Sequence, residues 1–509
     1  MIPLEKYLLG VDFGTYSTKG SLCDLKGNLL ATSVCNHEII SPKPGFAEHN
    51  PITQWWKEFI WIVKDLKQKA NINSSQFACI GISAIMAAVT PVDENINPLR
   101  NAILYGIDNR STQQADELNN EIGKDKITSI SGSPCTYESF GPKIKWIKDN
   151  EPEVFSKTKH INFAPGFITA KLTGKYAIDR HSIQSCQPMI DTRNLNYSWN
   201  EEMCSYVCPS SMLPEIRNTT DVIGNVKKEV AIECGIDEGV PVICGTTDAA
   251  AEAFSVGILE PGDTLLMYGS SAFLINISST LIKDTPYPGA PYLLDGLIDN
   301  CLGMGTAGSL TMWLKNVIAK DLLEKENSSN INSFDELFKE AEGIPVGSNG
   351  LIVLPYFQGK RLPVSNPYAK GMIFGLSLNH TRGDIVHAFF EGIGFGMSQM
   401  LSTINSCSKI KNLIATGGGT KTPLWLQIVS DISGMKQKVP KIKIGASYGD
   451  ALLAGVGIGK LKSPEEIKRL VKFDYEVLPN FKNNKEYKKY ESFYSELYLN
   501  TKDIMKKII

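Results

Sequence analysis

A short apolar run from Tyr7 to Val11 ends on Asp12, passes into the small polar stretch Gly14-Thr15-Tyr16-Ser17-Thr18, and resumes from Lys19 to Cys23. The pattern predicts strand, tight turn, strand. Lys26-Gly27-Asn28 is a further turn, and Leu29 to Val34 reads as a third strand. Trp55, Trp56 and Trp61 fall in an amphipathic helix, Ala78 to Ser83 in a buried strand, Asp93 to Pro98 in a polar turn, and Ala102 to Tyr105 in a returning strand. Strands alternating with helices predict an α/β domain. The same opening recurs downstream: Gly262-Asp263, an apolar run Thr264 to Tyr268, a small-residue tip Gly269-Ser270-Ser271, and a return from Ala272 to Ile277. Two related domains are therefore expected, with the break near Pro241 to Gly257. They are drawn as residues 1–246 and 247–460, followed by a tail over 461–509. There Tyr487, Tyr490, Tyr494 and Leu497 fall at helical spacing and predict a helix packing one face on the body.

Length supports two domains, because 509 residues exceed one hydrophobic core. A net charge of -2 without blocks of like charge gives no surface for nucleic acid, so any bound phosphate must be held locally. The 11 cysteines are scattered and form no CxxC, which points to a reducing, cytoplasmic setting rather than a disulfide framework. The six histidines show no metal-binding spacing. The N-terminal segment has charges within its apolar run and is not expected to act as a signal peptide, and no apolar stretch is long enough to cross a bilayer.

Three segments can carry chemistry. In the first, Gly14 leaves backbone N–H groups unobstructed at a tight turn, Thr15, Ser17 and Thr18 add hydroxyls, and Asp12 at the strand end suits a hydrated Mg2+. A plain polar hairpin is the alternative. In the second, the strand Leu413 to Thr416 runs into Gly417-Gly418-Gly419, with Thr422 at an N-cap position and Pro423 at the first helical position. Consecutive glycines let a ring or a phosphate lie on the backbone, or simply serve a loop of positive φ. The segment is neither a P-loop nor GxGxxG. In the third, the strand Val242 to Cys244 delivers Asp248 among small residues, where it suits either a helix N-cap or a general base.

Taken in order, these segments resemble the FGGY carbohydrate kinases over nearly the whole chain. The longest match runs from Gly350 through Pro355-Tyr356 and Gly359-Lys360-Arg361, then Asn366 to Leu376, His380-Thr381-Arg382-Gly383-Asp384 and Glu391-Gly392. It looks like the family's "PY-x-x-G-x-R", "G-x-x-x-G-L" and "H-T-R-x-D" signature. Pro142-Lys143 to Trp146, with Pro152, resembles the N-terminal signature. The Asp12 turn looks like the first phosphate motif, Gly269-Ser270-Ser271 like the second, and Gly417 to Gly419 like the adenosine motif.

The resemblance implies two actin-like, ribonuclease-H-like α/β domains with a ligand cleft between them, acting on a small sugar with ATP and Mg2+. It implies Asp248 as catalytic base, Asp12 and Asp248 as metal positions, and Gly14, Thr15, Ser17, Lys19, Gly269, Ser270, Ser271, Gly308, Gly417, Gly418 and Thr422 as ATP-binding positions. Met86, Asp108, Arg110 and Asp248 are its substrate positions, although Asp108 and Arg110 also suit a structural ion pair. The pattern is most like xylulose kinases, which points to a ketopentose such as D-xylulose. Ile85 and Ala87 beside Met86, and Ala249 after Asp248, replace polar residues usual in those relatives, and another ketose, a polyol or an aldonate is the alternative substrate. A non-catalytic sugar or nucleotide sensor is the remaining alternative. No membrane or nucleic-acid partner is expected, and a homodimer is expected only by analogy with relatives.

Overall fold

The computed structural model describes residues 5–281, 289–328, 331–361, 365–442 and 444–508. The first four residues of the N-terminal segment lie outside them. The chain forms two compact units: Met1–Leu259 with Ala290–Ile298 and Ile444–Val471, and Glu260–Gly289 with Asp299–Lys443 and Lys472–Ile509.

The first unit is built on a sheet in the order Val222–Asn225, Pro241–Ile243, Phe77–Ala84, Tyr7–Phe13, Ser17–Asp24, Leu29–Asn36. The central strand Tyr7–Phe13 pairs antiparallel with its hairpin partner and parallel with Phe77–Ala84, placing Asp12 opposite both Lys19 and Ser83. The strand is buried along its whole length, as the unbroken apolar run requires. The amphipathic helix Lys57–Ala70 buries Phe59, Ile62, Val63 and Leu66 and leaves Trp61 exposed. Trp55 and Trp56 are buried in the wide helical turn Pro51–Trp56 that leads into it.

The helix Ala446–Gly457 lies on the same sheet. A Cβ on Gly10 would stand 2.0 Å from the Ser447 carbonyl oxygen, and one on Gly81 2.1 Å from that of Asp450. Helix backbone therefore rests directly on strand backbone, and only hydrogen at these two Cα atoms permits it. The short strand Thr246–Thr247 pairs parallel with the end of Phe77–Ala84 and opens the helix Asp248–Ser255. The expected break at 246/247 thus falls inside the first unit, because this strand completes its sheet. Residues 461–471 of the expected tail also belong to the first unit.

The second unit repeats the plan. Its sheet runs Ile298–Met304, Ala272–Ser278, Asp263–Tyr268, Asn412–Thr416, Gln437–Pro440, Phe473–Val477. Again a central strand pairs antiparallel with its hairpin partner and parallel with a later strand. The long helix Arg382–Cys407 is buried along most of its length and starts with a reciprocal capping box between Thr381 and Asp384. The helix Phe481–Met505 buries Tyr487, Tyr494, Tyr498 and Met505 against this unit's core, with Tyr490 and Leu497 partly buried beside them. Among the described residues, no helix is long and apolar enough to cross a membrane.

Candidate active site

The tip of the first hairpin is a backbone array with its acceptors used and its donors free. Gly14 N–H bonds the Ser17 carbonyl at 3.0 Å and closes the turn. The Gly14 carbonyl faces His37 Nε2 at 3.2 Å, the Thr15 carbonyl faces His49 Nε2 at 3.1 Å, and the Tyr16 carbonyl accepts the His37 backbone N–H at 2.9 Å. The N–H groups of Thr15 and Tyr16 have no partner among the described residues. Free N–H groups with satisfied carbonyls are what an anion needs from a turn. The Thr15 hydroxyl shares a 3.0 Å bond with Tyr105, and the hydroxyl of Ser17 makes no hydrogen bond among the described residues.

The second hairpin reaches the same state by another route. At the start of the helix Gly308–Ile318, Gly308 N–H bonds the Gly269 carbonyl, and the N–H groups of Ala307 and Ser309 bond the Ser270 carbonyl, each at 2.9 Å. Gly308, expected along the nucleotide pocket, therefore locks the hairpin tip. The N–H groups of Ser270 and Ser271 make no hydrogen bond among the described residues.

Asp248 stands at the first position of its helix, but it does not cap it. Thr247 does, accepting the Ala250 N–H at 3.2 Å. One Asp248 oxygen accepts the N–H of Ala249 at 2.8 Å, the residue's own N–H also favours the carboxylate, and no other side chain bonds it among the described residues. Burial pushes its pKa up to about 6, against the pull of the Ala249 N–H and the Lys19 ammonium. Asp12 is pushed further above the usual carboxylate range, first by burial and then by the charge of Asp248, while Lys19 opposes the shift. A buried carboxylate raised by the charge of a neighbouring one is a group that a cation relieves, and Mg2+ needs few protein oxygens because it keeps several waters. The residues present fit that ion.

A third carboxyl, absent from the sequence reading, supports Asp12. Asp450 is the only charged residue of the helix Ala446–Gly457 and is fully buried. Its Oδ2 lies 2.7 Å from Ser83 Oγ, which lies 3.2 Å from Asp12 Oδ1. Burial and then the charge of Asp12 raise the Asp450 pKa well above its ordinary value, which favours its protonated form. One serine proton cannot serve two carboxylates. With the proton on Asp450, that acid donates to Ser83 and Ser83 donates to Asp12.

The three glycines separate by what the fold demands of each. Gly417 has φ of 93°, and a Cβ there would lie 2.6 Å from the Tyr268 carbonyl oxygen. A Cβ on Gly419 would lie 2.5 Å from the Trp425 ring. A Cβ on Gly418 would meet nothing within 4 Å. The hydroxyl of Thr422 precedes the helix Pro423–Ser433 without capping it and makes no hydrogen bond among the described residues.

Family models for the N-terminal and C-terminal domains of the FGGY carbohydrate kinases match residues 7–255 and 265–458. The chain belongs to the FGGY family of carbohydrate kinases. The chain is 27% identical to a xylulose kinase of Bacillus subtilis, over 98% of each chain. It is 26% identical to a gluconokinase of the same organism, over 95% of this chain and 94% of that one. A solved xylulose kinase from Rhodospirillum rubrum superimposes with a TM-score of 0.89 at 26% identity, covering 98% of this chain and all of the other. The protein is therefore a sugar-phosphorylating enzyme that uses ATP, with the two-domain α/β fold of its family.

Within this FGGY kinase, two expected substrate positions are occupied by other work. Arg110 holds both oxygens of Asp108 and also Glu48, and its guanidinium lies 4.0 Å from the centre of the Phe46 ring. Asp108 additionally accepts the Ala47 N–H at 2.7 Å. Both residues are buried and form the ion pair of the structural alternative. Met86 is half-buried and borders a small cavity with Phe163, Asp179, Ser182 and Cys244.

An FGGY kinase also turns the glycine argument into a test. Because the fold leaves Gly418 open, Gly418→Leu is expected to keep the thermal midpoint of the wild type. It is expected to weaken ATP binding about tenfold or more, the equivalent of about 1.4 kcal/mol. Titration calorimetry checks this, and unchanged affinity would reduce the three glycines to a loop requirement.

Proposed function

We propose that this kinase phosphorylates a ketopentose such as D-xylulose, with Asp248 as general base and magnesium held at Asp12 and Asp248. The observation that carries the reading is the division of labour at 247 and 248. Thr247 caps the helix, so the Asp248 carboxylate is free to take a proton. As the acceptor hydroxyl attacks, its O–H proton passes to Asp248, a new bond forms from oxygen to the γ-phosphorus, and the bond from that phosphorus to the ADP oxygen breaks. Magnesium, when bound, offsets the negative charge of the phosphates. Lys19, opposite Asp12 in the hairpin, adds a fixed positive charge. The free N–H groups of the two hairpin tips hold phosphate oxygens, and Gly418 with Thr422 takes the adenosine.

The sugar is argued from the relatives named xylulose kinases, which span nearly all of the chain. The apolar stretch Ala84 to Ala87 and Ala249 favour a substrate that asks for fewer hydrogen bonds there, and the gluconokinase and glycerol kinase relatives mark the alternatives. A coupled ADP-release assay with ATP and magnesium, run over ketopentoses, ketohexoses, pentitols, glycerol and aldonates, tests the reading. Preferred turnover of D-xylulose is expected. A higher kcat/KM for an aldonate or a polyol would replace the substrate while leaving the kinase intact.

A further inference from the structure

A turn that gives its N–H groups to phosphate must find donors for its carbonyls, or they remain unpaired beside an anion. The second hairpin takes them from the start of the helix Gly308–Ile318. The first has no helix start there and takes them from two histidines. We propose that His37 and His49 are positioning residues of the first phosphate hairpin, each donating from its imidazole to a tip carbonyl and so holding the Thr15 and Tyr16 N–H groups free for phosphate.

One further contact fixes the direction of donation from His49. Trp55 donates its indole N–H to His49 Nδ1 at 3.2 Å. An indole nitrogen only donates, so Nδ1 must accept and the ring proton sits on Nε2, facing the Thr15 carbonyl. Burial and the neighbouring His37 lower the His49 pKa to about 4, which keeps that ring in the one neutral form. His37 has an acceptor on each side, with Nδ1 2.9 Å from a Glu58 oxygen and Nε2 facing the Gly14 carbonyl, so it serves both only as an imidazolium, for which the Glu58 carboxylate is the counter-charge. Glu58 also accepts the Thr18 hydroxyl, which ties the grip to the strand that leaves the turn. The two rings meet edge to face at 4.6 Å, so they form one support under the tip.

This inference rests on the reading of the hairpin as a phosphate site, and the test separates the two. Wild type, His49→Phe, His49→Gln and Trp55→Phe are compared by KM for ATP at saturating sugar, KM for sugar at saturating ATP, and thermal midpoint. Phenylalanine keeps the ring and removes the donor. Glutamine returns an N–H near the place of Nε2. His49→Phe is expected to raise the KM for ATP by about fivefold to tenfold, the effect of one lost hydrogen bond, and to leave the KM for sugar within about twofold. His49→Gln is expected to recover most of the loss. Trp55→Phe leaves the histidine in place and frees its tautomer, so a smaller rise in the KM for ATP is expected even if His49→Phe does not fold. An unchanged KM for ATP in both His49→Phe and Trp55→Phe, or equal loss for both substrates without rescue by glutamine, would overturn the positioning role. Failure of the wild type to turn over ATP with any sugar would instead overturn the phosphate reading beneath it.

Discussion

Asp248→Ala is expected to lower kcat by about 10²-fold to 10⁴-fold, the range for losing a positioned general base, while ATP binds as in the wild type. The asymmetry follows from the local structure. The helix start is capped by Thr247, so removal of the carboxylate keeps the cap, and ATP affinity measured without magnesium isolates the nucleotide site from the loss of the proposed metal position. The proposed nucleotide positions Gly269, Gly308, Gly417 and Gly418 belong to the other compact unit. Single-turnover kinetics and calorimetric ATP affinity separate the two effects. Wild-type turnover would remove Asp248 from the chemistry, and loss of ATP affinity would make it a binding residue. The pH profile gives a second reading with a definite sign. Only the ionised carboxylate accepts a proton, and burial places its pKa at about 6. The rate is therefore expected to rise with pH through that value and flatten above it, with an acid limb of about tenfold per pH unit.

The largest expected loss of stability comes from adding a single methyl group. Gly10→Ala would place a Cβ 2.0 Å from the Ser447 carbonyl oxygen and 2.4 Å from the Ala451 nitrogen. Both are backbone atoms of a helix and cannot rotate away, so either the helix or the central strand must shift. Overpacking of this kind costs about 1–3 kcal/mol where side chains can adjust, and backbone on backbone is expected to reach or exceed the upper end. The shift would also pull Asp450 from Ser83 and so loosen the support of Asp12. Denaturant unfolding and the KM for ATP are expected to worsen together. A variant of wild-type stability would mean that the helix is not seated on the sheet as described.

The longest motif match carries framework. His380 to Asp384 contains the capping box that starts a long buried helix, and Glu391 accepts the Gly347 N–H and the Ser348 hydroxyl, both at 2.7 Å, inside the second unit. The residues proposed to bear on phosphate transfer sit in shorter and plainer segments. Asp12, Asp248 and the glycine loop were legible because each interrupts an apolar strand with small or acidic residues, and that pattern survives without any knowledge of packing. Asp450 had a comparable signal, a lone carboxyl in a helix of small and apolar residues. Its role, however, depends on Ser83, which stands 367 positions earlier in the chain.

The sequence alone determined the strand–turn–strand openings, their duplication, the α/β class and the family, because these rest on local periodicity and on motifs whose spacing is fixed by backbone geometry. Only the tertiary structure decided the rest. It gave the helix cap to Thr247 and so freed Asp248. It turned Asp108 and Arg110 toward each other, returned residues 444–471 to the first unit, and set two histidines beneath the first hairpin. Each of these depends on which distant donor meets which acceptor in a buried place. That pairing is fixed by packing, and periodicity along the chain carries no record of it.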